Sequence, residues 1–268
     1  MLRDITLGQY MPGNTVVHRL DPRMKIILTI LYIAIIFCVS SPLWYVLPLG
    51  YILAATHLSG LKPKNLLKSI KPLRFLLILT FVLNLFFSAG STIWVQWGVV
   101  KITQEGFLTA VHFALRLVFL VAGTSILTLT TSPVALSDGI EMLLKPLKVI
   151  RFPAHELAMM MTIALRFIPT LIEEADKIMK AQMARGADFE SGNLLKRARA
   201  MVPLLVPLFV SAFRRAGDLA MAMEARCYHG GEGRTRLRVL KYTMNDLWAL
   251  LITAAVLVVT ILAGKWIA

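Results

Sequence analysis

Two arginines, Arg185 and Arg226, stand at equivalent positions in two similar segments. Residues 181–186 read AQMARG and residues 222–227 read AMEARC, so each arginine follows an A-x-x-A pattern near the predicted end of a long helix. An arginine in a last helical turn presents five N–H donors in a planar fork that suits a partner carboxylate, and small alanines let another surface approach closely. A cation there also favours the helix dipole, so a purely structural role stays open.

Other types of chemical site are not indicated. None of the five histidines pairs with another at ligand spacing, and Cys38 and Cys227 form no disulfide framework. The sequence contains neither a Gly-x-Ser-x-Gly elbow nor a Walker A motif. We therefore predict no catalytic, cofactor-binding or metal site in this chain, and any ATP would have to be bound by another polypeptide.

One charge falls inside a predicted membrane span. Arg116 lies well within the fourth span, and Asn84 is a polar residue of the third. A charge inside the membrane is costly and is a functional candidate by default. The alternative is a structural contact between helices, with Asn84 as a possible partner of Arg116.

The composition indicates a membrane protein. Hydrophobic residues make up 57% of the chain, the mean hydropathy is +0.70 and the formal net charge is +14. The apolar residues form long runs, and the basic residues lie in blocks between them, as the positive-inside rule predicts. We expect membrane lipid, and not nucleic acid, as the surrounding partner.

Five apolar stretches are predicted to cross the bilayer, at about 24–40, 43–58, 73–89, 107–131 and 247–264. Ser40-Ser41-Pro42 is a turn signal that divides the first two into a tight hairpin. Lys/Arg-rich segments before the first span and at 59–74 place the N-terminus and the end of the fourth span inside. The polar residues 1–23 do not form a cleavable signal peptide, and Trp94 and Trp97 suit a headgroup belt.

Residues 133–246 differ from the spans because they carry many charges and yet keep helical periodicity. Thr131-Ser132-Pro133 predicts a helix start, and Pro146 a break. A second helix should follow Pro153 and end at Gly186, and a third should run from about Leu194 to Arg226 with bends at Pro203 and Pro207. The uncharged run 201–213, roughly 13 residues, is shorter than the ~20 that a span needs.

The predicted fold class is therefore an all-α integral membrane protein. It has about five transmembrane helices and a cytoplasmic domain of about three long amphipathic helices. The predicted domains are a cytoplasmic N-terminal segment (1–23), four transmembrane helices (24–132), a cytoplasmic domain (133–246) and a last transmembrane helix (247–268). Asp21 should cap the helix that begins near Pro22. The basic residues Arg234, Arg236, Arg238 and Lys241 are either the positive flank of the last span or a grip on a partner.

Six motifs occur in order along the chain: HRLDPR (18–23), TTSP (130–133), LRFIPTL (165–171), ARG (184–186), ARC (225–227) and GEGRTR (231–236). Together they resemble the T subunit (EcfT) of energy-coupling factor transporters, the group-II ABC importers for vitamins and transition-metal ions. The resemblance covers nearly the whole chain. Cys227 stands where the family usually has Gly, which would ease close backbone approach or a left-handed turn.

The resemblance implies a non-catalytic scaffold in a prokaryotic cell membrane. In that family, two Ala-Arg-Gly motifs of a cytoplasmic coupling domain dock into grooves on two ATPase subunits, which bind the ATP. The implied docking residues are Ala184, Arg185, Gly186, Ala225, Arg226 and Cys227. The apolar faces of the same helices would hold a substrate-binding S component, which ATP binding topples. The implied contacts for it are Met161, Ala164, Ile168, Leu171, Leu204 and Leu208.

Two other functional classes remain as alternatives. A self-contained secondary transporter or channel needs a polar path, and the predicted spans offer little beyond Asn84 and Arg116. An enzyme acting on lipid needs acidic or histidine residues grouped at the inner face. The one acidic group, Glu173, Glu174 and Asp176, is expected to form a solvated face with Lys177 and Lys180.

Overall fold

The computed structural model describes residues 10–88, 92–97, 100–146, 153–189, 193–230 and 240–267. The chain forms two compact units, residues 8–139 with 239–268 and residues 1–7 with 140–238. We call them the bundle unit and the coupling unit. The predicted basic segment with Arg234, Arg236 and Arg238 and the side chains of Trp94 and Trp97 lie outside the described residues.

The helices follow the predicted order. The bundle unit contains α1 (Val16–Arg19), α2 (Pro22–Cys38), α3 (Val46–Ser59), α4 (Pro63–Ile70), α5 (Arg74–Phe87), α6 (Gln104–Thr130), the start of α7 (Pro133–Leu144), and α10 (Met244–Ile267). The coupling unit contains the end of α7, α8 (Ala154–Ala184) and α9 (Leu194–Glu224). The predicted all-α membrane fold is confirmed.

A small sheet interrupts the helical pattern. Strands β1 (Ile93–Trp97) and β2 (Val100–Thr103) pair antiparallel between α5 and α6, with Trp97 opposite Val100 and an irregularity between Ile93 and Val95. These are the only strands in the part of the chain that the structure describes. The short hairpin pairs backbone groups of the connection between α5 and α6.

Side-chain caps set several helix starts. The Asp21 carboxylate accepts from the Arg23 backbone N–H at 2.9 Å, as predicted for α2. The Ser132 hydroxyl accepts from the Ala135 N–H at 3.3 Å and begins α7, also as predicted. After α2 ends at Cys38, a 3₁₀ turn over Pro42–Tyr45 leads into α3, so the predicted break at Ser40-Ser41-Pro42 is confirmed.

A buried carboxylate joins the starts of α2 and α10. Asp246 is 1% exposed, and its carboxylate accepts from the Asp21 N–H at 2.9 Å and from the N–H and hydroxyl of Thr243, both at 2.7 Å. The Arg23 guanidinium forms a two-point ion pair with the Asp21 side chain and donates to the Leu240 carbonyl at 3.3 Å. Together these bonds hold the two helices at one end of the bundle unit.

Aromatic rings fill the core of the bundle unit. Tyr32 stacks on Tyr51 with ring centroids 5.5 Å apart, and Tyr45 stacks on Phe119 at 5.3 Å. A Cβ at Gly123 would lie 2.0 Å from the Tyr32 ring, so only glycine lets α6 pass this close to α2. The Tyr32 hydroxyl donates to the Phe119 carbonyl at 2.9 Å, which leaves this buried polar group satisfied.

The helices that could span a membrane differ partly from the prediction. Within the described residues, five stretches are long and apolar enough: Pro63–Phe87, Gln104–Thr130, Ala154–Ala184, Arg199–Glu224 and Met244–Gly264. The number equals the predicted five, but α2 and α3, with 17 and 14 residues, are shorter than this criterion requires, and α8 and α9 meet it. The uncharged run 201–213 is only part of α9, which continues through Pro203 and Pro207 for 31 residues. The cytoplasmic position of α8 and α9 stays a prediction.

Asp246→Asn tests the junction of α2 and α10. The amide keeps the shape of the carboxylate but presents an N–H₂ to at least one donor, so a buried N–H or O–H loses its acceptor. We expect a loss of about 1–3 kcal/mol of stability, measured as a lower thermal midpoint in detergent. Asp218→Asn, at an exposed position of α9, is the control and should leave the midpoint unchanged. Equal midpoints for Asp246→Asn and the unchanged protein would contradict this role.

Candidate functional site

The end of α8 is a Schellman motif. The Ala187 N–H donates to the Gln182 carbonyl, and the Gly186 N–H donates to the Met183 carbonyl, both at 2.9 Å. Gly186 has φ +88°, the left-handed conformation that this motif places just after a helix. The predicted role of Gly186 as a C-cap is confirmed.

The end of α9 repeats the same motif. The Tyr228 N–H donates to the Met223 carbonyl at 3.0 Å, and the Cys227 N–H donates to the Glu224 carbonyl at 2.8 Å. Cys227 has φ +54° and occupies the position that Gly186 holds at the first end. The left-handed turn is therefore present although the residue is not glycine, at a conformational cost of about 1–2 kcal/mol.

The two arginines each immediately precede one of these left-handed residues. Ala184, Arg185, Ala225 and Arg226 are all exposed. Neither guanidinium forms a hydrogen bond or ion pair with any residue that the structure describes. Because the capping bonds already satisfy carbonyls of the last turns, the side chains are not needed to close the helices. Each end thus presents a free planar cation beside a small residue.

A polar contact joins α8 to α9. The Glu174 carboxylate accepts a hydrogen bond from the Ser211 hydroxyl and forms an ion pair with Arg215 at 2.5 Å. The prediction of a solvated acidic face is therefore wrong for Glu174, because its side chain is 20% exposed and pairs with two residues of α9. Glu173, Lys177 and Lys180 are exposed, as a solvated face requires.

The apolar residues assigned to S-component contact divide into two groups. Met161 and Ala164 on α8 are exposed, whereas Ile168, Leu171, Leu204 and Leu208 are half-buried. The more exposed stripe of α9 is Val202, Val206, Phe209 and Phe213, and Phe213 is 76% exposed. The sequence reasoning missed this stripe, although its spacing of three and four residues was visible in the sequence.

Arg116 has partners other than the one considered from the sequence. Its guanidinium lies 2.9 Å from His112 Nε2 and donates to the Val39 carbonyl at 3.4 Å, at the C-terminus of α2. The Asn84 side chain donates to the Thr80 carbonyl at 2.8 Å, within its own helix. No hydrogen bond joins these two described residues. Arg116 therefore caps a helix end, where a cation is favoured by the carbonyl dipoles.

The family model described as "CbiQ: Cobalt transport protein" matches residues 13–237, which include both helix ends. The chain belongs to this family. Among the curated relatives, the energy-coupling factor transporter transmembrane protein EcfT of Thermosediminibacter oceani is 56% identical over 262 residues, 98% of each chain. The protein of the same name from Acidaminococcus fermentans is 56% identical over 246 residues, 92% of this chain and 91% of the relative. That from Bacillus subtilis is 46% identical over 260 residues, 96% and 98% of the two chains.

These matches confirm the resemblance that the six motifs carried. The chain is a transmembrane component of an energy-coupling factor transporter and a multi-pass membrane protein. Both helix ends lie within the residues that match the CbiQ family. The match does not identify the partners that bind at those ends.

Gly186→Ala and Cys227→Gly test the matched caps in opposite directions. A Cβ at Gly186 meets nothing within 4 Å, so the alanine penalty is conformational, about 1–2 kcal/mol. In Gly186→Ala, hydrogen exchange of the Ala187 amide should accelerate about fivefold or more. In Cys227→Gly, hydrogen exchange of the Tyr228 amide should slow by a similar factor.

Hydrogen exchange with mass spectrometry measures both effects. Gly217→Ala is the control, because Gly217 lies inside α9, an added Cβ there would meet nothing within 4 Å, and the residue does not need a positive φ. That variant should leave both amides unchanged. Equal exchange at Tyr228 in Cys227→Gly and the unchanged protein would contradict the assigned strain at Cys227.

Proposed function

We propose that the chain couples ATP hydrolysis by two separate ATPase subunits to the reorientation of a substrate-binding S component that takes up a vitamin or a metal ion. The observation that carries the proposal is the pair of matched helix ends, each with an exposed arginine that has no partner among the described residues. In this proposal the chain is a non-catalytic scaffold, and the ATPase subunits bind the ATP.

The two helix ends with Arg185 and Arg226 share one geometry, so we expect each to bind a surface of the same kind on its partner. ATPase subunits that act as a pair offer such surfaces, since a two-fold arrangement presents each groove twice. A guanidinium that enters a groove beside an alanine can form a two-point contact with a carboxylate. The docking residues are Arg185 and Arg226 with the flanking Ala184, Gly186, Ala225 and Cys227.

The contact between α8 and α9 supports transmission of movement from those ends. Glu174 binds Ser211 and Arg215 across the helix pair, and Gln182 donates to the Pro203 carbonyl at 3.5 Å. A displacement applied at Arg185 would therefore act on α9 as well as on α8. Two packed helices that move together are a known means of carrying a shift from one site to another.

The outer apolar surface of the helix pair supports an S-component contact. Phe209 and Phe213 are 60% and 76% exposed, and Met161 on α8 is 54% exposed. Large exposed apolar side chains in a row mark a surface that lipid or a partner covers. We propose that the S component packs there against Met161, Ala164 and the α9 stripe. Leu204 and Leu208 are half-buried and contribute less to this surface. The positive-inside rule supports a cytoplasmic position for the N-terminus and the coupling unit in this proposal.

The alternative of a self-contained transporter or channel is less well supported. Such a protein would use polar groups in its spans to bind cargo. Arg116 donates to the Val39 carbonyl, Lys25 to the Thr130 carbonyl, and Asn84 to its own helix. These groups serve the helices themselves.

Charge reversal at the two arginines tests the proposal. Arg185→Glu and Arg226→Glu should each weaken ATPase docking, because a buried carboxylate of the partner would face another carboxylate; loss of one such pair costs about 2–5 kcal/mol, about 30-fold or more in affinity. The double variant should lose the ATPases entirely, since the two sites act together on one assembly. Co-purification of the ATPases with the tagged chain from its native membrane is the measurement.

Arg214→Glu is the matched control. It makes the same change of charge at an exposed position of α9, away from the helix ends. This variant should retain the ATPases, and all four variants should reach the membrane in equal amounts. Full ATPase recovery and transport by the double variant would rule out docking at these ends.

A further inference from the structure

A pocket of about 300 Å³ opens in the bundle unit between α1, α2, α3, α6 and α10. It lies beside the starts of α2 and α10, and its lining runs from Lys25 to Tyr32 along α2. Seven residues of helix correspond to roughly 10 Å, which is most of one leaflet's share of an approximately 30 Å hydrocarbon core. The volume is within the range of small-molecule sites.

Most of the lining is apolar. Leu28, Leu58, Ile126 and Ile252 contribute aliphatic surface, and Tyr32 and Tyr51 form the far wall as a stacked pair. Empty apolar space gives up dispersion contacts on its walls and does not attract water. A hydrocarbon chain is the occupant that such a wall favours.

The near end of the pocket is polar and positively charged. Lys25 is 6% exposed, and its ammonium donates to the Thr130 carbonyl at 2.9 Å and to the His18 carbonyl at 3.2 Å. These two bonds use two of the three N–H groups and leave one donor. Two further residues line this end, Asn245 and Trp248, and Trp248 is 63% exposed in the second turn of α10. Tryptophan near the start of a membrane-spanning helix is typical of the headgroup level.

We propose that this pocket binds one anionic phospholipid, with an acyl chain between Tyr32 and Leu58 and the phosphate near Lys25. The polar end lies at the same end of the bundle unit as Arg23 and the junction of α2 and α10, so a second cation stands near the one that would meet the phosphate. A pocket between helices that combines a hydrocarbon-lined slot with a cation at the headgroup level selects charge as well as shape. The lipid would fill the space between α3 and α10 and tie the two helices together.

Native mass spectrometry of the full chain tests the site. The protein is reconstituted in vesicles of equal parts phosphatidylglycerol and phosphatidylcholine, released in detergent, and its retained lipids are counted. We expect one phosphatidylglycerol per chain, retained about fivefold over phosphatidylcholine. Lys25→Met should bring the two lipids to equal retention.

A second variant keeps the test decisive because Lys25→Met also removes the donor to two helix-end carbonyls. Ala54→Phe fills the pocket from an exposed lining position of α3 and leaves Lys25 in place. It should lose the retained lipid, whereas the control Leu53→Phe, at the adjacent exposed position outside the lining, should keep it. Equal retention of both lipids by the unchanged chain, or undiminished phosphatidylglycerol in Ala54→Phe, would overturn the proposal.

Discussion

A charge inside an apolar helix bundle needs a partner within the chain, because hydrocarbon offers none. In the bundle unit two such cations, Lys25 and Arg116, donate to helix C-termini, where carbonyl groups of the last turn lack partners. Lys25 donates at the ends of α1 and α6, and Arg116 donates at the end of α2. At the opposite helix ends, carboxylates take the same part, with Asp21 and Asp246 accepting from backbone N–H groups. The same hydrogen bonds thus provide partners for the charged side chains and for the unpaired backbone groups at the helix ends.

The coupling unit satisfies the unpaired carbonyls at its helix C-termini in a different way. Its two long helices close through left-handed residues, Gly186 and Cys227, whose neighbours' N–H groups bind the free carbonyls. Since backbone N–H groups supply these caps, the side chains of Arg185 and Arg226 are not needed to cap the helices, and both are exposed. The Glu174 contact with Arg215 keeps the two helices together behind them. This geometry is the one on which the proposed docking of two ATPase subunits rests.

Local signals predicted much of this arrangement, and contacts distant in sequence did not follow from them. A few adjacent residues determine each helix start or end that was predicted. These are the Asp21 and Ser132 caps, the break at Pro42 and the turn at Gly186. Val39, whose carbonyl accepts from Arg116, lies 77 residues away along the chain, and Ser211 and Arg215 lie 37 and 41 residues from Glu174, so these contacts required the packed structure. The exposed face of α9 was also missed, because two of its faces are apolar and sequence alone does not say which meets α8.

Native Cys227 offers the most direct measurement of the central claim, that the two helix ends dock on the ATPases. It is exposed, and it adjoins Arg226. Its alkylation rate with a membrane-impermeant maleimide is compared in inside-out vesicles with and without the ATPase subunits, with a Cys227→Ser variant giving the background. The docking model predicts strong protection in the complex. Equal alkylation in both preparations would contradict it.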